Sequence, residues 1–482
     1  MHTDFEACYR AIASRDPRFD GRFVTGVVTT GVYCRPVCPA PVPRRENVRF
    51  HPTAAAAARA GLRPCRRCRP DGAPAGPPAP GGSDEVRRAL RLIDAGFLDA
   101  HPVSALAEAT HLSERQLRRA FVAELGATPR DIARARRAHL ARVLLEASDA
   151  PVGEVALAAG YRSLRRFNDE VRGTFGAPPR ALRARGGRRP APGRLSLRIA
   201  YRPPFDAEGM LAFLAARAVD GVEEVADGAY RRVVDGPQGP YVVTLRPDPR
   251  RHVVVLEAPA GAHAQVSGLA QRARRLLDLD ADPLAVAEAL GDDPLLGPRV
   301  RARPGLRVPG VWDPVEGAVR AVLGQQVSVA AATRIAGRLA ALAGAPLPAP
   351  DGALRHAFPD AARIAAADLS GLGLTAARAR ALRALAERVA DGRLVLDPAP
   401  DPVRVRDDLL AVPGVGPWTA DYVALRALRD PDAFPDGDLG VRRALGAPGV
   451  PCSAAEARAR ALAWRPWRAY ATLHLWIHEE AA

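Results

Sequence analysis

The chain contains no lysine; all 69 of its basic residues are arginine. A GC-rich genome accounts for such a bias, alongside 46 prolines and abundant alanine. Whatever the cause, no lysine amine is available here to form a Schiff base. No apolar run reaches the ~18–20 residues that a membrane span requires. The opening residues, MHTDFEACYR, lack the basic-then-apolar pattern of a signal peptide. A soluble cytoplasmic protein is expected, with no membrane partner. Cysteine is scarce as well: six in 482 residues are no disulfide framework. In a reducing compartment, cysteines that cluster point to a metal or a reactive thiol.

What is present is long enough for three or four domains. Its composition, 48% hydrophobic and 25% charged, is globular. The net charge of +16 is unevenly spread. Residues 1–190 hold 33 Arg against 19 acids, whereas residues 191–482 hold 36 against 34. A basic front half suggests a polyanion, most simply nucleic acid. Two stretches read as linkers: PDGAPAGPPAPGGS at 70–83 and ARGGRRPAPGR at 184–194. They divide a multidomain α+β chain. A small α/β domain spans 1–75, with β-like runs at 22–30 and 47–51 and an Ala-rich helix at 53–60. An all-α domain spans 84–186. A β-rich α+β domain spans 194–300, with strands near 195–201, 230–234, 241–245 and 252–256. From about Gln271 the pattern is helical, giving an all-α domain at 301–482.

The first domain holds two close cysteine pairs, in TTGVYCRPVCPAP and GLRPCRRCRPD. Cys34, Cys38, Cys65 and Cys68 can close tetrahedrally around Zn2+. Spacing alone reads as a structural zinc site. Arg35, Arg66, Arg67 and Arg69 interleave the ligands and can attract phosphate. The motifs TTG-x-[YF]-CRP-x-C, REN and RPC-x-RC resemble the N-terminal domain of the Ada family of alkylation-response proteins, over residues 1–71. The resemblance implies that Cys34 accepts a methyl group from a methylphosphotriester in the DNA backbone. Cys38, Cys65 and Cys68 then remain as zinc ligands. Turning a thiolate into a thioether removes one negative charge near DNA, so methylation strengthens phosphate binding. Cys8 and Cys452 lie outside the cluster and read as small apolar residues. Cys452 is followed by Ser453 and Ala454, so the Pro-Cys-His-Arg motif of alkylguanine transferases is absent.

The second domain contains two similar units, at 103–129 and 152–179. In each, a short apolar-spaced helix is followed by a turn and a Ser N-cap, Ser113 and Ser163. The helix that follows exposes Arg115, Gln116, Arg118 and Arg119 in the first unit, and Arg165 and Arg166 in the second. Such side chains can reach base edges in the major groove. The doubled unit and the closing GATPR and GAPPR resemble the AraC-type DNA-binding domain. That resemblance implies a transcription activator, with RNA polymerase as its partner at promoter DNA.

The last part carries LLAVPGVGPWTADYVALRAL at 409–428. Gly414 and Gly416, in a tight turn between two helices, let backbone N–H groups approach a phosphate. The turn resembles the helix-hairpin-helix of base-excision glycosylases. Asp438, in AFPDGDLGVRRAL, falls in the register of that superfamily's catalytic aspartate, and Asp436 does not. Bifunctional members carry a lysine just after the hairpin; here that position is Trp418, which implies a monofunctional enzyme. Trp418, Tyr422 and Trp476, with WRPWRAYATLHLW and AVLGQQVSVAAA, resemble the aromatic pocket of the AlkA-like 3-methyladenine glycosylases. Trp464 and Trp467 read as core. The family fills the gap left by a flipped base from the loop in LGQQVS. Gln326 stands there where some relatives have Leu, and it is a poorer apolar wedge. Together these features imply an alkylation sensor and activator fused to a monofunctional glycosylase acting on alkylated double-stranded DNA.

Overall fold

The computed structural model describes residues 3–70, 83–148, 150–185, 193–397 and 402–481. Most of both expected linkers lies outside the described residues. The chain divides into two compact units. The first comprises Met1–Pro203, Arg250–Gln271 and Leu279–Asp282; the second comprises Pro204–Pro249, Arg272–Asp278 and Pro283–Ala482. No helix among the described residues is long and apolar enough to cross a membrane.

In the first unit, β1 (Val24–Val27), β2 (Val32–Cys34), β3 (Val48–His51) and β4 (Arg63–Pro64) form a sheet in the order β3-β1-β2-β4. β1 pairs antiparallel with β2 and β3, while β4 runs parallel to β2. The Ala-rich stretch is the helix Ala54–Arg59, capped by the Thr53 hydroxyl, as its sequence predicts. β2 and β4 carry little periodic signal because they are three and two residues long. Their importance is positional: each delivers a cysteine to the same end of the sheet.

Among the described residues, eight helices follow between residues 84 and 185. Val103–Ala109 with Glu114–Leu125, and Val152–Ala158 with Leu164–Phe175, are the two helix pairs. The helix Pro129–Ala147 separates them. The repeated GxxPR has a physical reading. Gly126 and Gly176 end their helices with φ of +68° and +64°, a conformation that costs glycine little. Pro129 and Pro179 then open the next helix, where a missing N–H is no loss. Strands Arg194–Ala200 and Val253–Pro259 pair antiparallel and complete this unit's sheet structure.

The second unit begins with an antiparallel meander of Glu223–Ala226, Ala229–Val234 and Tyr241–Asp248. The expected β-rich segment is therefore shared between the two units. The helices beyond pack on a core that includes Val319, Val322, Leu339, Leu382, Leu385, Val412 and Val423. The helical pattern expected beyond Gln271 is interrupted by a two-stranded hairpin, Pro346–Asp351 with Leu354–His356. Its prolines suppress any strand signal, and an isolated edge hairpin tolerates them. A buried charge network fixes the helix Pro314–Leu323 against the meander. Arg232 donates to Glu316 at 2.7 Å, and Arg320 donates to Glu223 at 2.7 Å.

Candidate functional site

The four clustered cysteines come together as their spacing predicts. Cys34 ends β2, Cys38 follows a turn closed by Cys38 N–H to Arg35 O, and the Cys65 N–H donates to Tyr33 O just past β4. Their sulfurs all lie within 4.8 Å of one another. Four thiolates at about 2.3 Å from one zinc ion sit about 3.8 Å apart, so the set fits that metal. With no cation between them, their ionisations oppose one another. The Cys34 thiol is pushed up by its hydrogen bond with Cys68, then by burial. Burial lifts Cys38 to about 11. Cys68 falls to about 6, chiefly through the hydrogen bond from Cys34. A divalent cation removes that mutual penalty.

Arg35 supports this cluster closely. Its backbone N–H donates to Cys68 Sγ at 3.3 Å, and its guanidinium holds the buried Asp20 bidentately. Exposure does not single out Cys34: it and Cys68 are buried, while Cys38 and Cys65 are partly open. A basic concavity of about 420 Å³ borders Cys65 and is lined by Arg63, Arg66 and Arg67.

On the second helix of each pair, Arg115, Arg118, Arg119, Arg165 and Arg166 are exposed, with Leu117 and Phe167 buried beneath. Gln116 is exposed but occupied. Its side chain accepts from the Ser113 N–H at 3.0 Å, and the Ser113 hydroxyl caps the Gln116 N–H, closing a capping box.

In the second unit, Trp418 and Tyr422 lie four residues apart on the helix Pro417–Arg426, and Trp476 comes from Arg468–Ala481. Trp418 and Tyr422 stack with centroids 5.3 Å apart, and Tyr422 and Trp476 are 6.3 Å apart. A base between two rings needs contact on both faces, about 7 Å in all. In this conformation the spacings leave no room for a base between the rings. Asp438 caps the helix Leu439–Leu445. Its Oδ2 accepts from Trp418 Nε1 at 2.9 Å. Its Oδ1 accepts from Trp476 Nε1 at 2.9 Å and from the Val441 N–H at 3.0 Å. Two indoles and a helix N-terminus therefore aim one carboxylate beside one aromatic array. Asp436 is turned elsewhere, paired with Arg458 at 2.6 Å.

The hairpin's glycines differ in kind. Gly414 has φ +85°, and a Cβ there would meet the Ala381 Cβ at 2.9 Å, so the fold demands it. A Cβ on Gly416 would meet nothing within 4 Å. The fold leaves Gly416 free, and a close-approaching partner would account for it. Gln326 is exposed at φ +55° in the turn before Val329–Ala343. Its neighbour Gln325, which no sequence motif singles out, bridges this turn to the hairpin. Gln325 Nε2 donates to Gly414 O and to Thr419 Oγ1, both at 3.0 Å. Trp464 is buried and donates to Asp293 at 2.7 Å, apart from the array, in keeping with a core role.

Residues 7–71 match the metal binding domain of Ada, and 106–185 match a helix-turn-helix domain. Residues 196–313 match the AlkA N-terminal domain, and 319–469 match the HhH-GPD superfamily of base excision DNA repair proteins. The "probable bifunctional transcriptional activator/DNA repair enzyme AlkA" of Mycobacterium tuberculosis is 50% identical over 481 residues, covering 99% of this chain and 97% of that protein. The chain belongs to this family of Ada–AlkA fusions. "DNA-3-methyladenine glycosylase 2" of Escherichia coli is 40% identical over 282 residues, 58% of this chain and 96% of that protein. The "bifunctional transcriptional activator/DNA repair enzyme Ada" of the same organism is 34% identical over 180 residues, 37% of this chain and 49% of that protein. The order of domains in the fusion matches the order of motifs in the sequence.

Proposed function

We propose that this fusion protein senses DNA alkylation in its front part, activates transcription in response, and excises alkylated purines with its C-terminal part. The segments assigned are 1–75 for the sensor, 84–186 for promoter binding, and 194–300 with 301–482 for the glycosylase. It works in the cytoplasm on double-stranded DNA, with RNA polymerase as the partner of the activating step.

The carboxylate held by two tryptophans carries the glycosylase reading. The target nucleotide leaves the stack, and Gln326 fills part of the gap. Trp418, Tyr422 and Trp476 receive the electron-poor base by stacking and cation–π attraction. The N-glycosidic bond breaks with its electron pair going to the base nitrogen. Asp438 stabilises the oxocarbenium charge left on the sugar and orients the water that attacks C1′, whose proton passes to Asp438 or solvent. Gly414 and Gly416 present N–H groups to a backbone phosphate. With no lysine amine in the chain, the product is an intact abasic strand. The test is single-turnover release of 3-methyladenine from methylated duplex DNA. Release with a strand that breaks only on alkali or heat is expected; a borohydride-trapped covalent adduct would overturn the monofunctional mechanism.

In the front part, Cys34, Cys38, Cys65 and Cys68 would hold zinc, which when bound keeps thiols deprotonated at neutral pH. Cys34 Sγ attacks the methyl carbon of a methylphosphotriester. The S–C bond forms, the C–O bond breaks, and the electron pair stays on the phosphate oxygen. The CRP-x-C motif supports Cys34 as the acceptor. Arg35 acts through Asp20 and Cys68 as well as toward phosphate, joined by Arg66 and Arg67. Arg115, Gln116, Arg118, Arg119, Arg165 and Arg166 face promoter DNA, with Gln116 released from its capping box on binding. Mass spectrometry after exposure to methylated DNA should place one methyl on Cys34. A methyl on Cys65 would refute the assignment.

A further inference from the structure

The aromatic array meets two charges, one through its tryptophans and one through its tyrosine. Asp438 is bonded to its two tryptophans, and Arg426 is bonded to its tyrosine. Arg426 ends the helix that bears Trp418 and Tyr422, and it is buried at 6% exposure. Its Nη1 donates to Tyr422 OH at 2.8 Å, Nη2 donates to Gly310 O at 3.1 Å, and Nε donates to Pro309 O. The guanidinium carbon lies 4.9 Å from the Phe213 ring centroid and 5.6 Å from that of Tyr422. The atoms to which it donates are all neutral. A buried cation held by neutral partners is costly, and neutral donors could serve the same oxygens. Burial pulls Arg426 below the ordinary arginine range, but a guanidinium starts so far above neutrality that it stays charged.

We propose that Arg426 is a positioning residue whose fixed charge, behind Tyr422, drives the electron pair of the breaking glycosidic bond onto the base. The inference rests on the base-pocket reading given above. When the N-glycosidic bond breaks, the base gains the bonding pair: a cationic alkylpurine becomes neutral, and a neutral purine becomes anionic until protonated. In both cases positive charge moves off the base and onto the sugar. A cation on the base side favours that movement, and Asp438 favours it from the sugar side. The same cation opposes ground-state binding of a charged base, and such opposition is relieved in the transition state. Because Tyr422 OH accepts from Arg426, its own hydrogen points away from the guanidinium, which fixes the ring as a stacking face.

The size of the effect follows from distance. A base stacked against the array lies between about 9 Å from the guanidinium carbon, if it touches Tyr422, and about 15 Å, if it sits on an outer tryptophan face. At an effective dielectric of about 20, a unit charge over that range of distances is worth roughly six- to twentyfold.

The experiment uses the full chain with Arg426→Gln, which is neutral but still donates, and Arg426→Lys, which keeps the charge. Affinity is read with 2′-fluorinated duplexes holding 7-methylguanine, a cation, or hypoxanthine, a neutral base, each relative to undamaged DNA. Rate is read by single-turnover release from the unfluorinated duplexes. Arg426→Gln should slow release of both bases about tenfold. It should also bind the 7-methylguanine duplex several-fold more tightly, with hypoxanthine affinity unchanged. Arg426→Lys should stay near the wild-type rate. A merely structural role predicts weaker binding and slower release together, for both bases and both variants. That result, or an unchanged rate in Arg426→Gln, overturns the inference. A wild-type protein that releases neither base would instead overturn the glycosylase reading.

Discussion

Asp438→Asn is more than a charge removal in this site. The amide oxygen can replace only one carboxylate oxygen. Placed at Oδ1 it keeps the Trp476 and Val441 donors, and Asn caps a helix as well as Asp does. The fold should therefore survive. The amide NH2 then sits where Oδ2 accepted from Trp418 at 2.9 Å, so two donors face each other. Losing a preorganised charge costs about 10²–10³ in rate, or ~3–4 kcal/mol. Leaving the indole N–H unpaired costs about 1–3 kcal/mol, felt as movement of Trp418 and hence in binding of the base. Single-turnover release of 3-methyladenine should fall by about 10³ or more. Affinity for damaged over undamaged DNA should fall by about tenfold, with hairpin contacts to phosphate intact. Asp436→Asn loses only a pair with Arg458, whose side chain is 67% exposed, so its rate should stay within about twofold of wild type. Equal losses in the two variants would refute the assignment of Asp438.

Gly416→Ala should leave the melting temperature nearly unchanged, because its Cβ enters open space, yet weaken DNA binding about tenfold in a fluorescence titration. Gly414→Ala, at φ +85° and against Ala381, should instead lower stability by about 1–3 kcal/mol in urea unfolding. Gln325→Ala removes the bridge from the wedge turn to the hairpin. It should weaken damaged-DNA affinity several-fold while a saturating single-turnover rate changes little. His474 is buried, and desolvation first, then Arg299 and Arg303, lower its pKa to about 4. Unfolded chains bind that proton near pH 6.5, so stability is lost as pH falls from about 6.5 toward 4. The loss is about 2 kcal/mol at pH 5, and His474→Gln should flatten the melting temperature across that range.

The sequence is most legible where chemistry needs particular atoms at a fixed separation. Cys34, Cys38, Cys65 and Cys68 converge because two short strands run parallel, although neither strand shows periodicity. The hairpin Pro346–Asp351 with Leu354–His356 is hidden for the converse reason: proline carries a loop signal wherever it stands. Arg35 shows a different limit. An arginine between metal ligands suggests phosphate, but nothing local shows that Asp20, fifteen residues back, shares its guanidinium. Gln325 and Gln326 are adjacent and chemically identical. Only the turn decides that one reaches back to Gly414 while the other points out to solvent.

The helix Pro417–Arg426 concentrates the proposed activity, and the reason is its spacing. Trp418, Tyr422 and Arg426 recur every four residues, so they lie along one face. In sequence that stripe is indistinguishable from a helix packing its apolar side inward, and Arg426 breaks it only as a charge that could equally be solvated. Exposure separates the three: Arg426 is buried, whereas Trp418 and Tyr422 remain partly open. The N-terminus of the helix follows the hairpin, so the backbone groups proposed to hold a phosphate cannot move independently of Trp418. The first turn meets Asp438 through an indole, and the last turn presents a cation. In the proposed complex one rigid element would thus link where the DNA backbone sits, where the base stacks, and which way the electrons are drawn. Binding energy from phosphate contacts far from the scissile bond would thereby be converted into placement at it.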